Sequence, residues 1–148
     1  MTDAANASSF SFANLNLDSR TLANKGIEVD IMNPITGMPT GFYVRVLGRD
    51  SEVYKKLETK QAQTRMQRIQ RMGGKLPPRT QEEIKENALE LMAACTLGWG
   101  MRPDKEGNPR TFEPEFTPDE ALEMYRKQDE VREQVEGAIV DRTRFLPA

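Results

Sequence analysis

Two short runs near the N-terminus alternate apolar and polar side chains, and they constrain the fold more than anything else in the chain. Ile27, Val29 and Ile31 interleave with Glu28 and Asp30, and Phe42, Val44 and Val46 interleave with Tyr43 and Arg45. A period of two with one apolar face is the signature of a half-buried strand. Asn33-Pro34 through Pro39-Thr40-Gly41 between them is turn chemistry, so residues 26–48 read as a β-hairpin. A two-stranded hairpin is marginal in water. It has to pack on helices or join strands from another chain.

The rest of the chain supplies the helices. Residues 50–72 read as one, capped by Asp50 or Ser51 and ended by Gly73-Gly74, with Pro77-Pro78 forbidding its continuation. Its apolar residues fall on two faces. Val53 and Leu57 share one, and Ala62, Met66 and Ile69 share another more than a quarter-turn away. A single rigid helix cannot place both sets in one core. This predicts a bend near 58–62, or a distal half that packs against something else. Thr80-Gln81-Glu82-Glu83 is a capping box for a helix at 81–97, whose Ile84, Ala88, Leu91, Met92 and Cys95 form a 3.6-period stripe. That helix is expected to run out at Gly98-Trp99-Gly100, placing the single tryptophan at a helix end before a polar loop at 98–116.

Thr117-Pro118-Asp119-Glu120 carries three helix-start signals and opens a helix at 118–127, with Phe116 placed to staple back onto it. A last helix at 130–146 aligns Val131, Val135, Ala138, Ile139, Phe145 and Leu146. Arg142 falls inside that stripe. A guanidinium on an apolar face is costly unless paired. Either its stem lies on the core edge with its head in water, or it pairs with an acid on another element or subunit. Residues 1–24, in which Phe10/Phe12 and Leu15/Leu17 form bulky pairs spaced by two, read as a flexible arm; that spacing also suits an extended segment laid on a partner edge. The expected fold class is α+β, mostly α. One domain over 25–148 combines the hairpin with about four helices, behind the arm.

Composition removes most chemistry. The chain has no histidine, so it lacks the usual general base near neutral pH and the commonest metal ligand. Its single cysteine excludes an internal disulfide, a redox pair and a Cys/His zinc site; Cys95 reads as a small buried hydrophobe. Glu82, Glu83 and Glu86 suit the first turns of a helix, and Glu130, Glu133 and Glu136 a solvated face. Asp104, Glu106 and Asn108 around Gly107 lack the closing glutamate and the spacing of a calcium loop. No phosphate-cradling loop is present. No catalytic, cofactor-binding or metal-binding residues are expected, and the chain is read as a non-enzyme. It has neither an apolar run long enough to span a membrane nor the features of a signal peptide, so the cytoplasm is the expected compartment.

The net charge of −2 hides a split. Residues 49–79 carry nine Lys/Arg against three Asp/Glu, and residues 113–148 carry ten Asp/Glu against five Lys/Arg. Such a bipolar chain suits pairing with copies of itself or with a charged helical partner. Arg65, Arg68 and Arg71 recur along one helical ridge, extended by Lys75 and Arg79. The ridge reads as a solvated face or as a docking face for an acidic protein helix; with no aromatic residue interleaved, it argues against nucleic acid. Of the eight methionines, Met66, Met72, Met92, Met101 and Met124 lie on or beside the expected helices. Methionine surfaces repack round varied partners, or they fill a loose core.

Cys95-Thr96-Leu97-Gly98-Trp99, then Phe116-Thr117 with Ala121 to Tyr125, then Val131-Arg132-Glu133-Gln134-Val135 to Asp141-Arg142 and Phe145 form a pattern that resembles the tail assembly chaperones of long-tailed bacteriophages and prophages. The similarity extends back to about residue 26 and leaves the N-terminal arm outside. The resemblance implies a small α-rich protein of the host cytoplasm, absent from the mature virion. It implies binding to the long helical tape-measure protein, which is kept soluble until tail-tube subunits polymerise round it. The major tail tube protein is a second candidate partner, and self-association is expected. The partner-contacting residues proposed from pattern are Arg65, Met66, Arg68, Ile69, Arg71 and Met72 on the first long helix, together with Trp99 and Arg142. Two alternatives stand beside this reading. One is a virion structural protein of the neck or tail-completion type, whose hairpin completes an inter-subunit sheet. The other is a small regulator binding nucleic acid through the arginine ridge.

Overall fold

In the computed structural model, which describes residues 10–75 and 77–147, the hairpin is part of a three-stranded sheet. Strands β1 (Ile27–Met32) and β2 (Pro39–Val46) pair antiparallel, with Val29 opposite Val44 and Ile27 opposite Val46. A third strand, β3 (Thr96–Met101), pairs antiparallel with the other side of β2, with Trp99 opposite Val44 and Met101 opposite Phe42. The partner that a lone hairpin needs therefore comes from the same chain. Val29, Ile31, Phe42, Val44 and Val46 are buried, as their alternation predicts.

This third strand corrects the expectation of a helix through 97 and a tryptophan at its end. Trp99 and Met101 alternate with Gly98 and Gly100, so the period of two is present, but glycine stands at the positions of the other face. Glycine in a run argues against a strand. Here it leaves room. A Cβ at Gly100 would lie 2.8 Å from the Tyr43 hydroxyl. Tyr43 carries the Arg102 guanidinium 4.2 Å above its ring, and Arg102 also pairs with Glu28 at 2.8 Å and Asp30 at 3.0 Å. The outer face of the sheet is thus a polar lattice crossing all three strands.

Five α-helices complete the fold: α1 (Arg20–Lys25), α2 (Glu52–Arg71), α3 (Gln81–Cys95), α4 (Pro118–Lys127) and α5 (Asp129–Val140). Short 3-10 turns cover Phe12–Leu15 and Arg142–Phe145. The capping residues act as their chemistry requires. Ser51, Thr80 and Thr117 accept hydrogen bonds from the backbone N–H groups of Tyr54, Glu83 and Glu120. The core fills the space between the sheet and α3, α4 and α5, with Leu89, Met92, Cys95, Ala121, Tyr125, Val135, Ala138 and Ile139 all buried.

Three further elements bear on the expectations. First, α2 is one helix over 20 residues with none of its side chains buried, and its distal half lies against α3, the second of the two outcomes that its split apolar faces allow. Secondly, the last α-helix stops at Val140, because the Asp141 carboxylate accepts the Thr143 N–H at 3.0 Å and restarts the chain as a 3-10 turn. Phe145 still reaches the core, but Arg142 is carried off the helical stripe into an exposed position. Thirdly, the C-terminal end of the expected arm is structured. Ala23 is buried, its carbonyl accepts the Gly48 N–H at 3.1 Å, and Asn24 Oδ1 accepts the Glu52 N–H at 2.9 Å. Phe10, Phe12, Leu15 and Leu17 remain exposed, and residues 1–9 lie outside the described residues.

Candidate partner-binding groove

Helices α2 and α3 form an antiparallel hairpin. Gly73 and Gly74 at its tip adopt φ of +64° and +82°, the left-handed region that reverses a chain at a helix end, and the Gly74 N–H donates to the Ile69 carbonyl at 2.9 Å. The two helices pack alongside each other. Gln61 spans them, donating to the Asn87 carbonyl at 3.0 Å. Around that bridge runs a groove of about 800 Å³.

Apolar and charged side chains of both helices line the groove. Leu57, Ala62, Met66 and Ile69 come from α2, and Ile84, Ala88 and Leu91 from α3. Met66 is 56% exposed and Ile84 43%. On α3 the expected single stripe is therefore two. Leu89, Met92 and Cys95 face the core, while Ile84, Ala88 and Leu91 line the groove. Lys60, Arg65 and Arg68 stand on the α2 side, whereas Glu83, Glu86 and Glu90 stand on the α3 side. Among the described residues, none of Lys60, Arg65 and Arg68 forms an ion pair within 4.0 Å, and Glu86 pairs outward with Arg126. The opposed charges are not neutralised across the groove.

The eight candidate residues do not form one site. Arg65, Met66, Arg68 and Ile69 line the groove; Arg71 and Met72 do not. Trp99 lies in an aromatic cluster, with ring centroids 5.2 Å from Phe116, 6.0 Å from Phe42 and 6.0 Å from Phe112, and its indole N–H donates to the Pro114 carbonyl at 3.0 Å. It pins the 102–116 loop onto the sheet, and Phe116, expected to staple onto α4, meets it edge-on with the rings at 90°.

Arg142 is paired within the chain. Its Nε donates to Asp50 Oδ2 at 2.8 Å and its Nη2 to Asp50 Oδ1 at 3.0 Å, while the Ser19 hydroxyl also donates to Asp50. The acid on another element is thus Asp50, just ahead of α2, and the cluster ties three distant parts of the chain together. The Asp50 side chain is only 10% exposed. The Arg142 fork, and then the Ser19 hydroxyl, hold its carboxyl at about 2, below the ordinary 3.8. A depressed carboxyl stabilises the fold above its unfolded value and loses that contribution as pH falls through the folded one. Asp50→Asn should cost on the order of 1–2 kcal/mol at pH 7, allowing for screening at the exposed arginine. Urea unfolding at stepped pH should show the gap to wild type narrowing below about pH 4. A gap of constant size down to pH 2 would contradict this account.

Other candidates carry no visible chemistry. Cys95 is fully buried, and burial pushes its thiol up to about 11, far from a nucleophile's range. Asp104 spends its carboxylate on the N–H groups of Glu106 and Asn108, closing its own loop. Among the described residues no cluster of three or more His, Cys, Asp or Glu is placed to hold a metal ion, and no helix is long and apolar enough to cross a membrane. Comparison with protein-family models, with curated proteins and with solved structures finds no match.

Proposed function

We propose that this chain is a phage tail assembly chaperone, a non-enzymatic protein of the host cytoplasm. In this reading it holds helical segments of the tape-measure protein in the α2/α3 groove until tail-tube subunits polymerise, and it does not remain in the mature virion. The observation that carries the reading is α2 itself. It is a 20-residue helix with no buried side chain, and it shares with α3 a groove lined in part by apolar side chains. An amphipathic helix laid apolar face down in such a groove is a recurring mode of reversible recognition. The mixed lining keeps half-exposed apolar side chains such as Met66 and Ile84 interspersed with charge rather than gathered in one flat patch. The resemblance around Trp99 and the C-terminal segments supplies the identity of the client.

Within this reading the contact surface narrows to Arg65, Met66, Arg68 and Ile69 and gains Ile84, Ala88 and Leu91 from α3. Co-expression with the tape-measure protein should move that protein into the soluble fraction. Ile69→Asp with Ile84→Asp, on a chain still helical by circular dichroism, should abolish the effect. A folded wild-type protein that leaves the tape-measure protein insoluble would refute the proposal. Stoichiometric recovery of the chain from purified virions would favour the virion structural alternative instead. The hairpin's partner strand already comes from β3, which removes one motive for that alternative.

A further inference from the structure

The positive charge of the α2/α3 hairpin gathers at one end of it. Residues 61–81 carry five Lys/Arg, at Arg65, Arg68, Arg71, Lys75 and Arg79, and no Asp/Glu. Elsewhere Arg102, Arg126 and Arg142 are each engaged by an acid on another element. Among the described residues, none of the five forms an ion pair within 4.0 Å. The Gly73-Gly74 reversal returns the chain so that Arg79 lines the groove with Arg65 and Arg68. The acids at that end are Glu82 and Glu83, both in the first turn of α3, where the helix dipole already favours them. Farther along, Glu86 is engaged by Arg126. At the other end Glu58 and Glu90 line the groove with Lys60, and Gln61 donates to Glu90 at 3.4 Å. We propose that the groove takes an amphipathic helix whose acids are confined to one half, and that this acidic half lies at the Gly73-Gly74 tip.

The lining selects this partner by its mixture. Met66, Ile69 and Ile84 stand among Arg65, Arg68 and Arg79, so an occupant of the tip end needs an apolar stripe with acids beside it. An acidic amphipathic helix has both. A nucleic-acid strand fits worse. Among the described residues no aromatic side chain lines the groove for bases to stack on. A phosphate chain also carries its negative charge along its whole length, and so over Glu58 and Glu90. A uniformly acidic helix meets the same two carboxylates. Confining the acids to one half satisfies both ends, and complementary charge of this kind fixes register and excludes wrong partners. The inference rests on the capture reading, because it names the client chemistry of the same groove.

Two labelled peptides of roughly 20 residues, about 30 Å long as helices, test this on the full chain. Both carry the same apolar stripe; one has glutamates in one half, and the other has lysines at the same positions. Fluorescence anisotropy should show the glutamate peptide binding at least about tenfold tighter, since like charges across an interface are costly. Its affinity should fall as NaCl rises from about 50 to about 300 mM, because exposed charges are screened beyond a Debye length. Arg71→Gln with Lys75→Gln and Arg79→Gln, all at exposed positions, should leave the melting temperature unchanged and remove most of the preference. Placement is read separately. Gln70→Cys, also exposed, takes a dye near the tip, because Cys95 is buried with its thiol pushed up to about 11. A quencher on the acidic terminus of the peptide should quench that dye, and one on the other terminus should not. Binding of neither peptide, equal binding of both, tighter binding of a single-stranded oligonucleotide, or quenching from the wrong terminus would overturn the proposal. So would a dimeric chain that excludes the peptides, which would assign the groove to a second copy. The capture reading fails separately. A tape-measure protein kept soluble by a chain with no preference for acid would remove this inference alone. A preference for acid beside an insoluble tape-measure protein would remove the client's identity alone.

Discussion

Replacing Tyr125 by alanine should lower the stability of the fold by about 3–5 kcal/mol, the range for losing a fully buried aromatic ring. Tyr125 is the largest of the fully buried side chains, and it projects from α4 to the point where α3 becomes β3. Its hydroxyl lies 2.7 Å from Thr96 Oγ1, and Thr96 in turn donates to the Met92 carbonyl at 2.7 Å. Thr96 has one hydrogen, already committed to Met92, so the tyrosine is the donor of the pair. Burial raises the phenol well above its ordinary range, which keeps it protonated and able to donate. This ordering makes the conservative variants unequal. Tyr125→Phe leaves Thr96 its bond to Met92 and should cost about 1 kcal/mol. Thr96→Val strands the Tyr125 hydroxyl in the core and should cost more, about 1–3 kcal/mol beyond any packing change. Urea denaturation of the three variants measures the series. Equal losses for Tyr125→Phe and Tyr125→Ala would mean that the ring contributes nothing, and would contradict this account of the junction.

The junction also explains what could be read in the chain beforehand. The hairpin was legible because its outward positions are polar, so Glu28, Asp30, Tyr43 and Arg45 make the period of two visible. Strand β3 obeys the same period, but its outward positions are Gly98 and Gly100, and the role of Gly100 as space for Tyr43 is a tertiary fact. The caps at Ser51, Thr80 and Thr117 were legible because a cap is a local bond between residues three apart. The end of α5 was not. It depends on Asp141 outcompeting the helix, and the apolar spacing of Phe145 and Leu146 continues past the break. Arg142 was legible as an anomaly on an apolar stripe, yet its partner Asp50 is 92 residues away. Of the groove, the α2 side was legible, since Met66 and Ile69 could not share a core with Val53 and Leu57. The α3 side was hidden because one helix serves two faces, and Ile84, Ala88 and Leu91 merge in sequence with the core stripe.

The same division separates a rigid body, to which α3 belongs through Leu89, Met92 and Cys95, from α2, which buries no side chain. The body is held by the sheet core, the Arg102 lattice and the Asp50 cluster. Helix α2 has its Ser51 cap, the Gln61 bridge and half-exposed apolar side chains along the groove. Regions with few buried apolar contacts open at lower free energy than the core. A groove made this way can widen for an occupant without loosening the body that carries it, which suits reversible capture better than a groove cut into the core would.

The C-terminal turn belongs to the body, and one pair of substitutions shows how tightly. Phe145 is 1% exposed, packed against Gly48 and Ala23. A Cβ on Gly48 would lie 2.9 Å from Phe145 Cζ and 3.0 Å from Ala23 Cβ, and the backbone there is not left-handed, so the obstacle is space alone. Phe145→Ala should cost about 3–5 kcal/mol. For a chain of this size that is a fall in melting temperature of roughly 10 °C or more. Gly48→Ala should cost about 1–3 kcal/mol through overpacking. The two share one volume, so their effects should not add. With the ring gone, the Gly48 methyl group enters the cavity it left, and the double variant should be more stable than the sum of the single losses by at least about 1 kcal/mol, as coupled neighbours allow. Thermal unfolding of the four proteins in one buffer measures the cycle. Strict additivity, or a loss below about 1 kcal/mol for Phe145→Ala, would mean that the turn at 142–145 does not seal the base of the fold.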